Sequence, residues 1–305
     1  MSADLETEAA DNDMMCCASC GTAEVDDINL KKCDDCDLVR YCSDNCQEEH
    51  RPKHKASCKK RAAQLRGEIL FRQPESAHLG DCPICFLPLP LDLKKSSMYF
   101  CCSKIICNGC VYAAHLREFE ERRLQQTCPF CRQPCPKTEA EVEADRNNMK
   151  RIAANDPVAM CQMGAKLCEK GDYESAFEYS TKAAESGNAM AHYDLSVMYR
   201  EGRGVEKDEK KEWFHLEEAA VGGHPQARYN LGYYEGKNGR DDRAVKHFII
   251  AANLGHDISI QTLKKGYAVG KVSKEDFAAA FRAHQAAVDA TKSPQREAAA
   301  KAMAA

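Results

Sequence analysis

The spacing of apolar and polar residues divides the chain near Asp156. Beyond that residue the sequence is rich in alanine, is interrupted by glycines, and places its apolar residues at helical intervals. Before it, apolar residues are sparse. Residues 59–73 place several large apolar side chains on one side of a short helix, which Pro74 is expected to end. The pattern therefore predicts a helical C-terminal half and an N-terminal half with little apolar core.

The helical half contains an internal repeat. Three similar strings, AAESG, AAVGG and AANLG, recur at intervals of 36 and 32 residues, and a second shared string precedes each of them. Two alternating elements predict a pair of helices in each unit. A single helix pair cannot bury its apolar face alone, so neighbouring units are expected to stack. A weaker fourth unit starts at His256, and Ser273 is its candidate helix N-cap.

These units resemble Sel1-like repeats, which are relatives of the tetratricopeptide array, over residues 156–290. In that family the array is an interaction scaffold. The resemblance implies an all-α helical-repeat solenoid that binds protein partners. Residues 291–305 are a helix-prone tail.

Cysteine is the unusual feature of the composition. Of the 19 cysteines, only Cys161 and Cys168 lie beyond Cys135. The acidic start of the chain has no apolar leader, and no stretch approaches the roughly 18 apolar residues of a membrane span. These features favour metal binding in a reducing intracellular compartment, the cytoplasm or the nucleus. The net charge of −4 argues against nucleic acid as a partner, and the lack of a long apolar stretch predicts no membrane association.

The first cysteine-rich block offers eight zinc ligands, which suit two tetrahedral sites. Two CxxC pairs are followed by two pairs with three intervening residues, a spacing that puts both members on one helical face. His50 competes for the histidine position, but only His54 keeps this spacing to Cys58, and Cys16 is out of register. The eight candidate ligands are Cys17, Cys20, Cys33, Cys36, Cys42, Cys46, His54 and Cys58.

This spacing closely resembles the MYND finger. The family's interleaved arrangement implies one zinc ion at Cys17, Cys20, Cys42 and Cys46, and another at Cys33, Cys36, His54 and Cys58. Family members bind short proline-containing peptides, which are therefore the expected partners of this module.

The second block resembles a RING finger in its order of cysteine pairs, central helix and final CPxC. Lys104 stands where the usual histidine ligand would be, so an all-cysteine variant with adjacent Cys101 and Cys102 is expected. Cys135 and His115 are the alternatives for the missing ligand. Interleaving implies one ion at Cys82, Cys85, Cys107 and Cys110, and another at Cys101, Cys102, Cys128 and Cys131.

The RING resemblance implies an E3 ubiquitin ligase that holds a ubiquitin-conjugating enzyme in a reactive conformation. Ile84 and Pro129 match the apolar positions that contact this enzyme in the family, and Arg132 matches the basic position that contacts both it and ubiquitin. Such a ligase has no catalytic residue of its own. The alternative is a non-catalytic scaffold or adapter.

The expected fold is two cross-braced zinc modules followed by an all-α repeat solenoid, with four zinc ions per chain. The MYND finger and the repeats would recruit substrates for the RING-like module. The predicted parts are a disordered tail 1–15, a MYND-type finger 16–58, a helical linker 59–80, a RING-like finger 81–135, a charged helical connector 136–155, Sel1-like repeats 156–290 and a C-terminal tail 291–305.

Overall fold

A computed structural model describes residues 16–24, 29–122, 125–135 and 140–304. The predicted tail 1–15 lies outside these residues. The chain divides into two compact units, Met1–Leu70 and Phe71–Ala305.

The first unit contains a two-stranded antiparallel sheet and one long helix. Strand β1 (Lys31–Lys32) pairs with β2 (Arg40–Tyr41), and helix α1 spans Asp44–Leu70. The sequence predicts a separate short helix at 59–73, whereas α1 runs through the second part of the first cysteine block and ends four residues before Pro74. No glycine or proline lies between Pro52 and Gly67, so nothing interrupts the helix there.

The core of the first unit is very small. Leu30 and Tyr41 are the large apolar side chains buried in it, and the other buried members of the cluster are Cys17, Cys33 and Cys36. A core in which most buried side chains are thiols cannot hold a chain of this length by apolar burial alone.

The second unit begins with a segment of turns and bends, which we call the linker strap and define as residues 71–80. The sequence predicts a helix as far as residue 73, whereas α1 ends at Leu70. Pro74 disfavours helical geometry at the preceding residue, and the strap instead packs on the repeat helices. The Phe71 and His247 rings lie 4.7 Å apart between centroids, and the His78 amide donates to the Gly223 carbonyl at 3.0 Å.

A short hairpin and one helix form the second cysteine-rich module. A 3-10 turn (Leu93–Lys95) leads into β3 (Ser96–Tyr99), which pairs antiparallel with β4 (Lys104–Cys107). Helix α2 (Asn108–Glu120) follows directly. Leu89 and Ile106 are buried among its cysteines, so this module also has little apolar core.

Helices make up most of the described chain from Ala140 to Ala304, and those of the clear repeats pack as consecutive pairs. Each helix of the three clear repeats has 13 residues, and Asp156, Asp172, Asn188 and Asp208 cap four of them through their side chains. The helices are α3 (Ala140–Ala153), α4 (Pro157–Glu169), α5 (Tyr173–Glu185), α6 (Ala189–Glu201), α7 (Glu209–Val221), α8 (Pro225–Lys237), α9 (Asp241–Asn253), α10 (Asp257–Ala268), α11 (Lys274–Ala290) and α12 (Pro294–Ala304).

The weaker fourth unit predicted from His256 onward corresponds to α10 and α11. Ser273 is the N-cap of α11, because its Oγ accepts from the Asp276 amide at 3.0 Å. The same hydroxyl donates to Asp276 Oδ2 at 2.8 Å, where a regular capping box would have the acidic side chain accept from the cap amide. The predicted cap is confirmed, with this difference in its hydrogen bonds.

Small residues set the spacing of the repeat helices, and large ones fill the space between them. Alanines of the recurring strings are fully buried, among them Ala183, Ala219 and Ala251. Leu195 and Leu231 are buried at equivalent positions of successive units. These features confirm the expected fold class, in which cysteine-rich modules precede an all-α repeat solenoid.

Replacing Gly204 by alanine is expected to destabilise the repeats by about 3 kcal/mol or more. Gly204 has a φ of +70°, and a Cβ there would lie 2.1 Å from the Tyr173 carbonyl oxygen. Gly239 is the matched control, since its φ is +73° but a Cβ would meet nothing within 4 Å. Gly239→Ala should cost only the left-handed backbone penalty, about 1–2 kcal/mol. Equal denaturation midpoints for the two variants would contradict the expected clash.

Candidate metal centres

The described residues contain four clusters in which four ligand atoms lie within 4.8 Å of one another. Two are in the first cysteine-rich module and two in the second, and no disulfide joins any of the cysteines. Each module divides its eight candidate ligands between two clusters in alternating pairs. The clusters are Cys17, Cys20, Cys42 and Cys46; Cys33, Cys36, His54 and Cys58; Cys82, Cys85, Cys107 and Cys110; and Cys101, Cys102, Cys128 and Cys131.

The distances within the clusters fit tetrahedral zinc. Zinc–sulfur bonds of about 2.3 Å place neighbouring ligand sulfurs about 3.8 Å apart. In the first module the Cys20 and Cys42 sulfurs are 3.5 Å apart, and the Cys33 and Cys58 sulfurs are 3.8 Å apart. Equivalent pairs in the second module, Cys85–Cys107 and Cys102–Cys128, are both 3.8 Å apart. The donors therefore have the chemistry and the spacing that zinc requires.

Helix α1 places His54, rather than His50, in the second cluster. The Nε2 atom of His54 lies 3.1 Å from Cys36 Sγ, and its Nδ1 lies 3.1 Å from the Ser57 hydroxyl. A second partner of this kind orients a ligating imidazole. His50 Nδ1 instead lies 3.1 Å from the Tyr41 hydroxyl, so this histidine supports the buried tyrosine.

Thiol ionisation within the first cluster shows why a cation is needed. Burial raises the pKa of Cys17. Backbone hydrogen bonds from Cys20, Cys42 and Ser19 lower this pKa by more than burial raises it, and the pKa lies at about 6. Hydrogen bonding with Cys20 and Cys46, in which the Cys42 thiol donates to the Cys46 sulfur, raises the pKa of Cys42 to about 12. One thiolate therefore forms easily, and its negative charge opposes the ionisation of the next thiol. A divalent cation at the centre supplies the charge that lets all four ionise.

The second module also has one thiol with a lowered pKa, Cys82, beside a thiol with a raised pKa, Cys110. Burial raises the pKa of Cys82, and backbone hydrogen bonds from Cys85, Cys107 and Ile84 lower it to about 7. Burial, together with hydrogen bonding to Cys107, raises the pKa of Cys110.

The turn between β3 and β4 brings the adjacent Cys101 and Cys102 to a single cluster. The Cys131 and Cys101 sulfurs are 3.4 Å apart, and Ser103 has a φ of +53°. Of the alternatives that the sequence leaves open, Cys135 donates to the Gln133 carbonyl, and His115 belongs to none of the four clusters.

The candidate contacts for a conjugating enzyme differ in exposure. Ile84 is 37% exposed and Arg132 is exposed, whereas Pro129 is buried. Two further apolar side chains beside the cysteines are exposed, Phe86 at 76% and Phe130 at 44%. Both stand next to a cysteine of a CxxC pair, a position from which the sequence alone gives no indication of exposure.

Within the described part of the chain, no helix combines the length and the apolar character needed to cross a bilayer.

Comparisons with known proteins identify two of the three parts. Residues 17–58 match the model of the MYND finger family. Three consecutive segments match the Sel1 repeat family, at residues 157–188, 189–224 and 225–256. No curated protein matches the chain.

Among solved structures, a Sel1 repeat protein from Oxalobacter formigenes is 26% identical, with a TM-score of 0.41 over 47% of this chain and 63% of that protein. A protective antigen of uropathogenic Escherichia coli strains, described as displaying an SLR fold, is 21% identical, with a TM-score of 0.38 over 64% of this chain and 40% of that one. The chain covers less than two thirds of either structure.

The resemblances to the MYND finger and to Sel1 repeats are therefore confirmed. The four clusters are compatible with several zinc ions per chain. The chain therefore combines a MYND-type zinc finger with three Sel1 repeats.

Proposed function

We propose that this chain is a protein-interaction scaffold that acts as a RING-type E3 ubiquitin ligase, with residues 81–135 as its RING-like module. Four zinc ions would be held by the sixteen side chains of the four clusters. The observation that carries the proposal is the interleaving in the second module, where the first and third cysteine pairs form one cluster and the second and fourth form the other. Such cross-bracing holds two surface loops in a fixed relation without a large apolar core.

The RING-like module would act by positioning and would form no covalent bond itself. Ile84, exposed between Cys82 and Cys85, would contact the conjugating enzyme through its apolar side chain. Arg132, exposed directly after Cys131, would donate hydrogen bonds to both the conjugating enzyme and ubiquitin. A guanidinium suits this role, because its donors point in several fixed directions and it is always charged.

Substrate capture would fall to the MYND finger and the repeats. The finger is expected to take short proline-containing peptides. In the array, an open groove of about 540 Å³ lies between α8, α9 and α10, where Tyr233 and Val269 leave 49% and 71% of their surfaces exposed. Exposed apolar side chains at a groove favour a protein ligand over solvent.

Autoubiquitination with a panel of conjugating enzymes tests the ligase. Ile84→Ala and Arg132→Ala should each reduce chain formation about thirtyfold, the effect of losing roughly 2 kcal/mol at a central contact. Leu93→Ala is the control for Ile84, since Leu93 is an exposed apolar residue of the same module. Arg122→Ala is the control for Arg132, since both are exposed arginines with left-handed backbone, at φ +54° and +64°.

A non-catalytic scaffold is the second candidate, and the burial of Pro129 favours it, because a buried proline cannot contact an enzyme. If no conjugating enzyme yields zinc-dependent chains with the wild-type protein, the ligase is excluded and the scaffold remains. Native mass spectrometry of each variant confirms that its zinc content is unchanged.

A further inference from the structure

The C-terminal helix α12 packs on the second cysteine-rich module, although about 200 residues separate them. Arg296 on α12 donates through Nη2 to Cys85 Sγ at 3.4 Å and to the Leu87 carbonyl at 3.1 Å. Its Nη1 donates to the carbonyls of Pro88 and Thr291, both at 2.7 Å. One guanidinium therefore joins the helix to the loop that carries two members of the Cys82, Cys85, Cys107 and Cys110 cluster.

The contact continues along α2, where Gly109 lets α12 approach closely. A Cβ at Gly109 would lie 2.9 Å from the Arg296 backbone nitrogen and 2.8 Å from its Cγ. Asn108 Nδ2 donates to Met303 Sδ at 3.6 Å near the far end of α12, and Ala299 is fully buried between these two points. The helix thus packs on α2 and makes hydrogen bonds to the module near both of its ends.

The charge of a four-thiolate site makes the arginine chemically significant. Four thiolates and one Zn²⁺ carry a formal charge of −2, which hydrogen-bond donors in the outer shell stabilise. The comparable cluster with His54 would carry only −1. Arg296 brings a full positive charge and a directed N–H to one of these sulfurs, and it stays charged at every physiological pH.

We infer that Arg296 is a positioning residue of a zinc site at Cys82, Cys85, Cys107 and Cys110, and that zinc bound there holds α12 in place. The inference rests on the zinc assignment under "Proposed function". The coupling acts in both directions, because a ligand that favours one arrangement is itself favoured by that arrangement. Helix α12 then docks on the module when the metal binds and is released when the metal leaves.

Zinc retention against increasing chelator, followed in the full chain by native mass spectrometry and thiol alkylation, tests this inference. Arg296→Ala should lower the affinity for one zinc ion 10- to 100-fold, which is the usual effect of losing a residue that hydrogen-bonds to a metal ligand. Alkylation should then reach the Cys82–Cys110 cluster at lower chelator concentration than in wild type, with the Cys101–Cys131 cluster unchanged. Lys301→Ala is the matched control, since it also removes one positive charge from α12 but lies exposed.

Hydrogen exchange of residues 294–304 in the wild-type chain supplies a measurement that needs no variant. Exchange in α12 should rise when zinc leaves the Cys82–Cys110 cluster and fall again when zinc is restored. Equal zinc retention in Arg296→Ala and Lys301→Ala would overturn the inference and leave the zinc assignment intact. If Cys82 and Cys85 of the wild-type chain are alkylated equally fast with and without zinc, the zinc assignment itself is overturned.

Discussion

Removal of zinc from the full chain is expected to unfold residues 16–58 while the repeat helices α4–α11 remain folded. The buried cluster of residues 16–58 consists of Leu30, Tyr41 and three cysteines, so apolar burial contributes little to the folding of this segment. Structural zinc contributes on the order of 10 kcal/mol per site, which exceeds the whole stability of most small domains. The repeats, by contrast, bury alanines in each clear unit, together with Leu195, Leu216 and Leu231, and need no metal.

Cys36→Ser is the variant that isolates this effect. Cys36 is fully buried and lies 3.1 Å from His54 Nε2, so its loss should empty the cluster and unfold the finger even when zinc is present. Cys161→Ser is the matched control, because Cys161 is also buried but lies in α4, outside the four clusters.

Native mass spectrometry should give four zinc ions for wild type and for Cys161→Ser, and fewer for Cys36→Ser. Hydrogen exchange should be fast in residues 16–58 of Cys36→Ser and unchanged in α4–α11. A finger that stays protected in the presence of a strong chelator would show that the small core folds without metal, and the zinc assignment there would fail.

The ligand clusters could be anticipated from the sequence because their members come in local pairs. Two cysteines separated by two residues meet at a tight turn, and His54 and Cys58 lie on one face of a helix. That the adjacent Cys101 and Cys102 share one cluster was harder to predict, because their convergence depends on the turn between β3 and β4. Spacing alone left Cys135 and His115 as alternatives.

Interactions across long sequence separations could not be anticipated in this way. Nothing in the sequence around Arg296 indicates that it meets Cys85, since 211 residues separate them and no spacing rule joins them. The helix predicted over 59–73 differs at its end for the same reason, since α1 stops at Leu70. Phe71 and His78 pack on the repeats, and these contacts outweigh the weak helical preference of residues 71–73.

Acidification is expected to destabilise the second unit through histidines whose ring nitrogens are buried, among them His78 and His247. Burial is the main cause in both, and it lowers the pKa to about 4 at His78 and about 3 at His247. The charges of Arg228 and Arg243 lower the pKa of His247 further. In the unfolded chain both would titrate near 6.5. Below that pH the unfolded state binds more protons than the folded state, so stability falls as the pH falls.

At pH 5 each histidine should cost about 2 kcal/mol relative to pH 8. Neither ring nitrogen of His247 has a hydrogen-bond partner among the described residues, so His247→Leu removes the titration without breaking a hydrogen bond. Urea unfolding at both pH values should show a loss between pH 8 and pH 5 that is about 2 kcal/mol smaller in His247→Leu than in wild type. Acid release of zinc is common to both proteins and cancels in this comparison.

Phe71→Leu is the control for packing. Phe71 contacts the His247 ring but does not titrate, so its truncation should shift stability equally at both pH values. If His247→Leu also shifts both values equally, His247 does not carry a depressed pKa, and the acid sensitivity lies in other groups, His78 among them. If the loss of stability between pH 8 and pH 5 is smaller in His247→Leu but not in Phe71→Leu, the pH dependence arises from the neutral imidazole of His247, which lies between the linker strap and two arginines.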